Sequence, residues 1–388
     1  MKKKISIGLF IDTFYPMVDG VIMVVDNYAK RLANFANVYV FAPKIPHKRF
    51  DDSKFNYKVI RCNSLSVPLL DYSLPIPKID PKFRKQLDEC KLDIIHIHSP
   101  MMLGKIGIQY AKEHDIPVIG TMHSQYRQDF YRATHSKRIA NQLTKEIIKV
   151  YEECDECWTV NQEVARIFHE EYGYKKLPVV KNNATEMKPV KDIQKSRERI
   201  NELHHLTDEK VFLFVGRINK LKNIFLIIDA LKNLKDENYK MMFIGTGQDE
   251  LLLKEKIREY GLKDKVLMIG KVTDRDLLAD YYARADLFLF PSLYDANSIV
   301  QIEAASQKTP VLFLEEAATA CNIKDNHNGY LSKNSAKEYA KRIKEIIEDE
   351  ETYQKVCENA FKELYINWDD EVKEIYESYL KWIERRMK

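Results

Sequence analysis

Two cations stand where a strand gives way to a loop, at Arg217 and Lys222. The apolar run Lys210–Gly216 predicts a strand, and both side chains follow its carboxyl end. A guanidinium can bind phosphate through two parallel hydrogen bonds, and an ammonium supplies a compact second charge. The pair could therefore neutralise a diphosphate without a metal ion. The alternative is two exposed cations on an ordinary loop.

Two carboxylates lie eight positions apart, at Asp295 and Glu303. The stretch 298–306 reads as a helix, and a helix start offers free N–H groups and partial positive charge to an anion. A carboxylate one or two turns into that helix can accept hydrogen bonds from a pair of ribose hydroxyls. The alternative is that Asp295 is an N-cap and Glu303 a solvated helix residue.

Three further groups lie near predicted strand ends. Gly20 follows Pro16 and Asp19 in a turn before a helix, where glycine would let backbone approach a ligand; the spacing is not G-x-G-x-x-G. His123 ends the strand 116–123 and is placed to meet a substrate, or else is a satisfied histidine under a loop. His96 and His98 face one side of a strand, without the carboxylate-rich spacing of a metal site.

The elements that must position these groups alternate between strand and helix. In the first half strands are predicted at 5–11, 37–43, 92–98, 116–123 and 157–160, and in the second at 210–216, 239–245, 265–270, 285–291 and 309–314, with helices between them such as 20–33 and 224–234. This alternation predicts an α/β protein with parallel sheets covered on both faces. A polar boundary near 184–208 separates the halves, so the default ligand site is the cleft between two domains, at the strands' carboxyl ends.

Length and composition agree with this organisation. The chain has 388 residues, 45% of them hydrophobic and 31% charged, with a net charge of +4, which excludes a mainly disordered chain and disfavours a general nucleic-acid binder. We expect no transmembrane helix and no signal peptide, since the apolar start ends at Asp12 and reads as a first strand. The scattered cysteines are typical of a reduced, cytoplasmic protein. Cys154 and Cys157 are interpreted as two cysteines of a helix.

The ordered set of loops resembles the retaining glycosyltransferases of family 4. The strongest matches are Val215-Gly216-Arg217 followed by Lys222, and the acidic pair in place of the family's E-x7-E. Supporting matches are the turn P-x-x-D-G-V, the H-x-H strand, the strand-ending histidine, FIGTGQDE and NGYL. The resemblance implies a GT-B fold, with two Rossmann-like doubly wound domains facing a cleft. It implies an acceptor-binding domain at 1–185, a nucleotide-sugar-binding domain at 186–365, and a terminal helix at 366–388 that crosses back to the first domain.

The resemblance also implies roles for single residues. Gly216, Arg217 and Lys222 would hold the donor diphosphate, and Gly20 would approach it from the other domain. Glu303 would bind the ribose, and His123 would lie by the sugar and acceptor. The donor sugar and phosphates would be held by Asp295 and by the backbone of the following residues: Asn297, Ser298, Ile299 and Val300. His123, Asp295, Arg217 and Lys222 form the expected catalytic group. No metal or other cofactor is expected.

This chain departs from the family pattern at three places. Asp295 is one methylene shorter than the usual glutamate, Ser298 replaces a glycine, and the family's P-N-G loop reads Lys181-Asn182-Asn183. These departures keep open the alternative of an inactive or regulatory nucleotide-sugar binder. A sugar-nucleotide epimerase of the same fold is a further alternative.

The predicted acceptor side is basic and apolar. Residues 124–150 carry six Lys or Arg against two Asp or Glu, with Tyr126, Phe130 and Tyr131 among them. Such a segment can lie on an anionic membrane, although a solvated basic face would read alike. The segment 64–77 resembles the acceptor-side loop of diacylglycerol glucosyltransferases. We therefore expect hexose transfer, with a UDP-sugar favoured as donor, to a glycolipid or cell-surface glycan of the cell envelope. The enzyme would be cytoplasmic or peripheral on the inner face of the membrane.

Overall fold

A computed structural model describes residues 4–17, 19–46, 50–66, 73–293, 295 and 298–388. The chain divides into two compact units. The first comprises Met1–Asn182 together with Trp368–Lys388, and the second comprises Asn183–Asn367. The predicted domain limits lie within three residues of these.

A parallel sheet forms the centre of the first unit. Its strands are β1 (Ser6–Phe10), β2 (Asn37–Pro43), β3 (Lys58–Cys62), β6 (Ile94–Ile97), β7 (Val118–Met122), β8 (Glu156–Thr159) and β9 (Val179–Val180), with the short antiparallel pair β4 (Ser64–Ser66) and β5 (Ser73–Pro75) beside it. The spatial order is β3-β2-β1-β6-β7-β8-β9, so the order reverses between β1 and β6. Strands such as β1 and β7 are buried throughout, as their apolar runs predict.

Helices cover both faces of this sheet. They are α1 (Gly20–Leu32), α2 (Pro81–Glu89), α3 (Met102–His114), α4 (Tyr126–Thr134), α5 (Lys137–Glu152), α6 (Gln162–Arg166) and the last helix of the chain, α14 (Trp368–Met387). Asp19 caps α1 by accepting a hydrogen bond from the Ile22 N–H at 2.8 Å. Helix α14 buries Trp368, Ile375 and Tyr379 in the first unit, and Tyr379 stacks on Trp158 with ring centroids 5.8 Å apart.

The second unit repeats the architecture. Its parallel strands are β10 (Lys210–Val215), β11 (Tyr239–Ile244), β12 (Val266–Gly270), β13 (Leu287–Leu289), β14 (Val311–Leu314) and β15 (Tyr330–Ser332), in the order β12-β11-β10-β13-β14-β15. Its helices are α7 (Ile193–His204), α8 (Ile224–Leu231), α9 (Glu250–Glu259), α10 (Arg275–Arg284), α11 (Ile299–Ser306), α12 (Ala336–Glu348) and α13 (Glu350–Leu364). Both units are thus Rossmann-like, and the predicted α/β class is confirmed. Among the described residues, none of the helices combines the length and apolar character that a membrane span requires.

The interpretation of Cys154 and Cys157 as two cysteines of a helix is wrong, whereas the strand predicted at 157–160 is present as β8. Helix α5 ends at Glu152, Cys154 follows in a turn, and Cys157 lies on β8. The chain turns because Asp155 joins the sheet: its N–H donates to the Val118 carbonyl at 2.9 Å, and its carboxylate accepts from the Val118 N–H at 2.8 Å. Both thiols are buried. The charged residues in the stretch 150–158 favour a continuous helix on pattern alone.

Candidate active site

The candidate donor loops lie together because their strands are neighbours. Strands β10 and β13 pair in register, with Phe212 opposite Leu287, and the strand order reverses between them. Gly216 and Arg217 follow β10, and the loop that holds Asp295 follows β13. Ligands of open α/β sheets bind at the carboxyl ends of strands where the order reverses. The fold therefore places both loops at the position expected of a ligand site.

The loop from Gly216 to Lys222 is held in shape by the turn after β11. The Gly216 and Ile218 N–H groups donate to the carbonyls of Ile244 and Thr246, at 3.0 and 3.1 Å. The Lys220 N–H donates to the Asp249 carboxylate at 2.7 Å. The turn is the FIGTGQDE stretch, which had served only as a family match. Its second glycine, Gly247, sits so close that an added Cβ would lie 2.3 Å from the Ile218 carbonyl oxygen.

Arg217 and Lys222 differ in their surroundings. Arg217 is exposed and forms no ion pair with any residue that the structure describes. The Lys222 ammonium lies 2.5 Å from Asp295 Oδ1, and these two side chains are only 17% and 15% exposed. The other oxygen of Asp295, Oδ2, is buried and has no hydrogen-bond partner within the described ranges. Lys222 and Asp295 are therefore brought together, while Arg217 remains available to a ligand.

Glu303 is buried rather than solvated. Its Oε1 accepts from Arg275 Nη2 at 2.5 Å, and its Oε2 accepts from the Tyr282 hydroxyl at 3.1 Å. Burial and the neighbouring Glu303 carboxylate raise the pKa of Tyr282 well above its ordinary value, so the hydroxyl keeps its proton and donates. Neither Arg275 nor Tyr282 was among the predicted site residues. They are seven positions apart on α10, so they share a helix face, which is the only signal that could have indicated them.

The first residues of α11 are half-buried. Ser298 is the N-cap, so the alternative that Asp295 fills this position is wrong. The Ser298 side chain makes no capping hydrogen bond to a described residue, and the first N–H groups of a helix have no partner within it. Ile299 and Val300 follow it in the first turn. Asn297 lies outside the described residues.

A buried histidine cluster lies below His123 in the first unit. His123 directly follows β7, and its Nε2 is 3.0 Å from His98 Nδ1. His96 is hydrogen-bonded at both ring nitrogens, to the Tyr379 and Thr121 hydroxyls, each at 2.6 Å. Desolvation lowers the pKa of His123 to about 3 and lowers the pKa of His98 well below its usual value. The pair is thus neutral at physiological pH, and Nδ1 is the nitrogen of His123 that His98 leaves unengaged.

Gly20 is the first residue of α1 and is exposed. An added Cβ there would meet no described atom within 4 Å, so packing does not require glycine at this position. Among the described residues there is also no group of three or more His, Cys, Asp or Glu side chains arranged to hold a metal ion. His96 and His98 instead serve the hydrogen bonds of the cluster.

Family models match both halves of the chain. The model described as Glycosyltransferase Family 4 matches residues 18–182, and the model described as Glycosyl transferases group 1 matches residues 195–363. Each match lies wholly within one of the two units, and together they cover most of the chain.

Relatives and solved structures agree with this assignment. The alpha-monoglucosyldiacylglycerol synthase of Acholeplasma laidlawii is 25% identical over 378 residues, covering 91% of each chain. The enzyme of the same name from Streptococcus pneumoniae is 25% identical over 333 residues, covering 79% of this chain and 70% of that one. The structure of sucrose-phosphate synthase from Thermosynechococcus elongatus superposes with a TM-score of 0.81 at 20% identity, covering 98% of this chain and 100% of that one. The Anabaena protein HepE, solved in complex with UDP and glucose, gives a TM-score of 0.73 at 16% identity, covering 96% and 98%.

The two sheets, their strand orders and the matched models lead to one assignment. The chain belongs to glycosyltransferase family 4, has the GT-B fold, and is similar to the alpha-monoglucosyldiacylglycerol synthases.

Proposed function

We propose that the protein transfers a hexose, with retention, from a nucleoside-diphosphate sugar to a glycolipid or cell-surface glycan precursor, with a UDP-sugar favoured as donor. The observation that carries the proposal is the convergence at the ends of β10 and β13. The Arg217 guanidinium, which forms no ion pair with a described residue, the Lys222 ammonium and a helix start lie there, with the buried Glu303 carboxylate one turn beyond. This set matches the charges of a diphosphate and the hydroxyls of a ribose.

In this proposal the donor diphosphate binds Arg217, Lys222 and the first N–H groups of α11. Lys222 has three N–H donors, so it can retain Asp295 while it donates to a phosphate oxygen. As the bond to the sugar breaks, negative charge grows on the leaving diphosphate. Preorganised positive groups stabilise such charge. The acceptor hydroxyl then attacks from the face that the diphosphate leaves, and a phosphate oxygen takes its proton.

His123 is proposed to contact the sugar or the acceptor hydroxyl. Its pKa of about 3 keeps the ring neutral, so it acts as a hydrogen-bonding group and not as a fixed charge. Arg217, Lys222 and the first N–H groups of α11 bind the diphosphate in this proposal without a metal ion, so transfer should persist in EDTA.

The donor half of the proposal is tested by nucleotide binding. UDP, GDP and ADP and their sugars are screened by thermal shift, because a ligand that binds the native state raises its midpoint. We expect a uridine nucleotide to give the largest shift. Arg217→Ala should weaken its binding about 10- to 100-fold, the value of one charged hydrogen bond, without changing the midpoint of the free protein.

Arg258→Ala is the matched control. Arg258 is an exposed arginine of α9 in the same unit, with no ion pair inside the described part of the chain. The Arg258→Ala variant should bind the nucleotide as tightly as the wild type does. No shift with any nucleotide, or equal affinity in Arg217→Ala, would refute the donor site. Release of UDP from UDP-glucose on diacylglycerol-containing vesicles separates a transferase from a mere nucleotide-sugar binder.

The acceptor half rests on the surface of the first unit. Helix α5 exposes Ile139 and Leu143 on one flank of its outer face, with Arg138 and Lys145 exposed beside them. Leu65 and Leu74 pair across β4 and β5 and are both exposed. Residues 67–72 of the predicted acceptor segment lie outside the described residues. Apolar side chains flanked by cations suit an anionic membrane surface, from which a lipid acceptor could be drawn.

A further inference from the structure

The carboxylate of Glu303 is fixed by two side chains of α10. Arg275, the first residue of that helix, reaches Oε1 from a position 53% exposed, whereas the Glu303 side chain is only 6% exposed. Tyr282 reaches Oε2 from within the core. One partner therefore lies at the solvent edge and the other in the interior, and together they leave the carboxylate little freedom to rotate.

The carboxylate still has capacity for a ligand. Its two oxygens offer about four acceptor positions, and Arg275 and Tyr282 use one on each oxygen. Two adjacent hydroxyls of a ribose can take the remaining positions, one on each oxygen, without displacing either partner. A buried carboxylate without a countercharge would be costly, and Arg275 supplies that countercharge at 2.5 Å.

Electrostatics favour the ion pair between Arg275 and Glu303. Burial alone would lower the pKa of Arg275, but the Glu303 charge and the hydrogen bond to it raise the pKa above its ordinary value overall. For Arg275, the attraction of Glu303 therefore outweighs the cost of partial burial, so the charged form of Arg275 is favoured in this ion pair.

We propose that Arg275, together with Tyr282, is a positioning residue that orients Glu303 toward the ribose and thereby sets the preference for ribonucleotides over 2′-deoxyribonucleotides. This inference rests on the proposed function, because it takes the donor to be a nucleoside-diphosphate sugar. Arg275 acts through Glu303 and does not hold the diphosphate. Its loss should therefore affect recognition of the ribose and spare recognition of the phosphates.

The test is a comparison of UDP with 2′-deoxy-UDP by isothermal titration calorimetry. The wild type should bind UDP about tenfold more tightly, which corresponds to one hydrogen bond to a charged group. In Arg275→Ala this ratio should fall to about two, and the affinity for 2′-deoxy-UDP should fall less than the affinity for UDP, because 2′-deoxy-UDP has only one of the two hydroxyls that Glu303 would bind. Arg275→Lys should restore part of the ratio, and Tyr282→Phe should lower it without removing the charge.

Arg199→Ala is the matched control. Arg199, on α7, forms an ion pair at 2.7 Å with Asp280, which lies on α10 like Arg275. The side chains of Arg199 and Asp280 are 54% and 11% exposed, which resembles the exposures in the Arg275–Glu303 pair. It should keep the tenfold ratio. If Arg275 had only a structural role, Arg275→Ala would weaken the binding of UDP and of 2′-deoxy-UDP by the same factor, and that result would overturn the inference. A tenfold ratio that persists in Arg275→Ala would overturn it as well.

The outcomes separate the inference from the proposed function. A wild type that binds UDP and shows an unchanged ratio in the variant refutes the role of Arg275 alone. Equal binding of UDP and 2′-deoxy-UDP by the wild type also refutes it. If the wild type binds none of UDP, GDP or ADP, the donor site itself is wrong, and the inference falls with it.

Discussion

Both acids of the predicted pair are countered by a cation. Asp295 holds Lys222, and Glu303 holds Arg275. The positions of the two carboxylates could be predicted from their spacing and from the helix that follows Asp295 and contains Glu303. Their partners could not, because Lys222 lies 73 positions from Asp295 in the chain and no local pattern links them. The contact follows from the neighbouring strands β10 and β13, which is a property of the sheet.

Glu371, a buried acid of the first unit, should make the stability of that unit depend on pH. Glu371 lies in the first turn of α14, and its Oε1 has no partner among the residues described. Burial raises the pKa of Glu371 to about 7, opposed by Lys181 and reinforced by Glu374. In the unfolded chain the value is about 4.3. The folded state therefore binds this proton more tightly, and the stability it contributes is complete below about pH 4 and lost as the pH rises through 7.

Glu371→Gln mimics the protonated form, so it should remove this pH dependence. At pH 5 the variant should already be more stable than the wild type by about 1 kcal/mol, because most of the carboxylate of the unfolded chain is ionised there. At pH 8 the variant should be more stable by up to about 3 kcal/mol. Urea denaturation at pH 5, 6.5 and 8 measures the free energy of unfolding of both proteins. The buried histidines titrate alike in both, so their contribution cancels when the wild-type value is subtracted from that of the variant.

Glu377→Gln, an exposed acid of the same helix, is the control and should leave the pH profile unchanged. If the difference between Glu371→Gln and the wild type is the same at every pH, the assigned pKa shift is wrong.

The turn after β11 shows how an element, and not only its side chains, determines the donor loop. Gly245 has φ of +133°, and an added Cβ on it would lie 1.9 Å from the Gly216 carbonyl oxygen. Two backbone segments therefore touch here without side chains between them. Strands β10 and β11, which the two loops follow, were predicted from their continuous apolar runs. The contact between the loops could not be predicted, because it depends on the register of β10 against β11.

Gly247→Ala should disturb this contact. Its new methyl group would meet the Ile218 carbonyl, which is backbone and cannot rotate away. We expect the free energy of unfolding to fall by about 1–3 kcal/mol, the usual cost of an inserted methyl group, and the affinity for UDP to fall because the loop carrying Arg217 shifts. Urea denaturation and calorimetry measure the two effects.

Gly20→Ala is the control for stability, since a Cβ there meets no described atom. It should be at least as stable as the wild type, because alanine is the better helix former. Unchanged stability and unchanged UDP affinity in Gly247→Ala would show that the turn does not support the donor loop.

The organisation of the chain into two α/β units was the part most accessible from sequence. Continuous apolar runs such as Tyr239–Ile244 mark buried parallel strands, and their repetition after residue 208 marks a second unit. The resemblance implied a terminal helix at 366–388 that crosses back to the first domain, and helix α14 buries Trp368, Ile375 and Tyr379 in the first unit. What escaped prediction were details that depend on distant partners, such as the turn at Asp155 that leaves Cys154 outside helix α5.

Membrane association through the exposed cations of α5 should depend on where positive charge lies on the protein and not on the total charge. Reversing two exposed cations of α5, as Arg138→Glu/Lys145→Glu, should lower partitioning onto vesicles containing phosphatidylglycerol by at least about tenfold, since each cation near an anionic surface contributes about 1 kcal/mol. The wild type should lose binding as salt is added, because the attraction is screened. Lys235→Glu/Lys263→Glu makes the same change in net charge with exposed residues of the second unit and should sediment with vesicles as the wild type does. Equal losses in the two double variants would show that only total charge matters, and a wild type that stays in the supernatant with these vesicles would remove the membrane surface from the proposal.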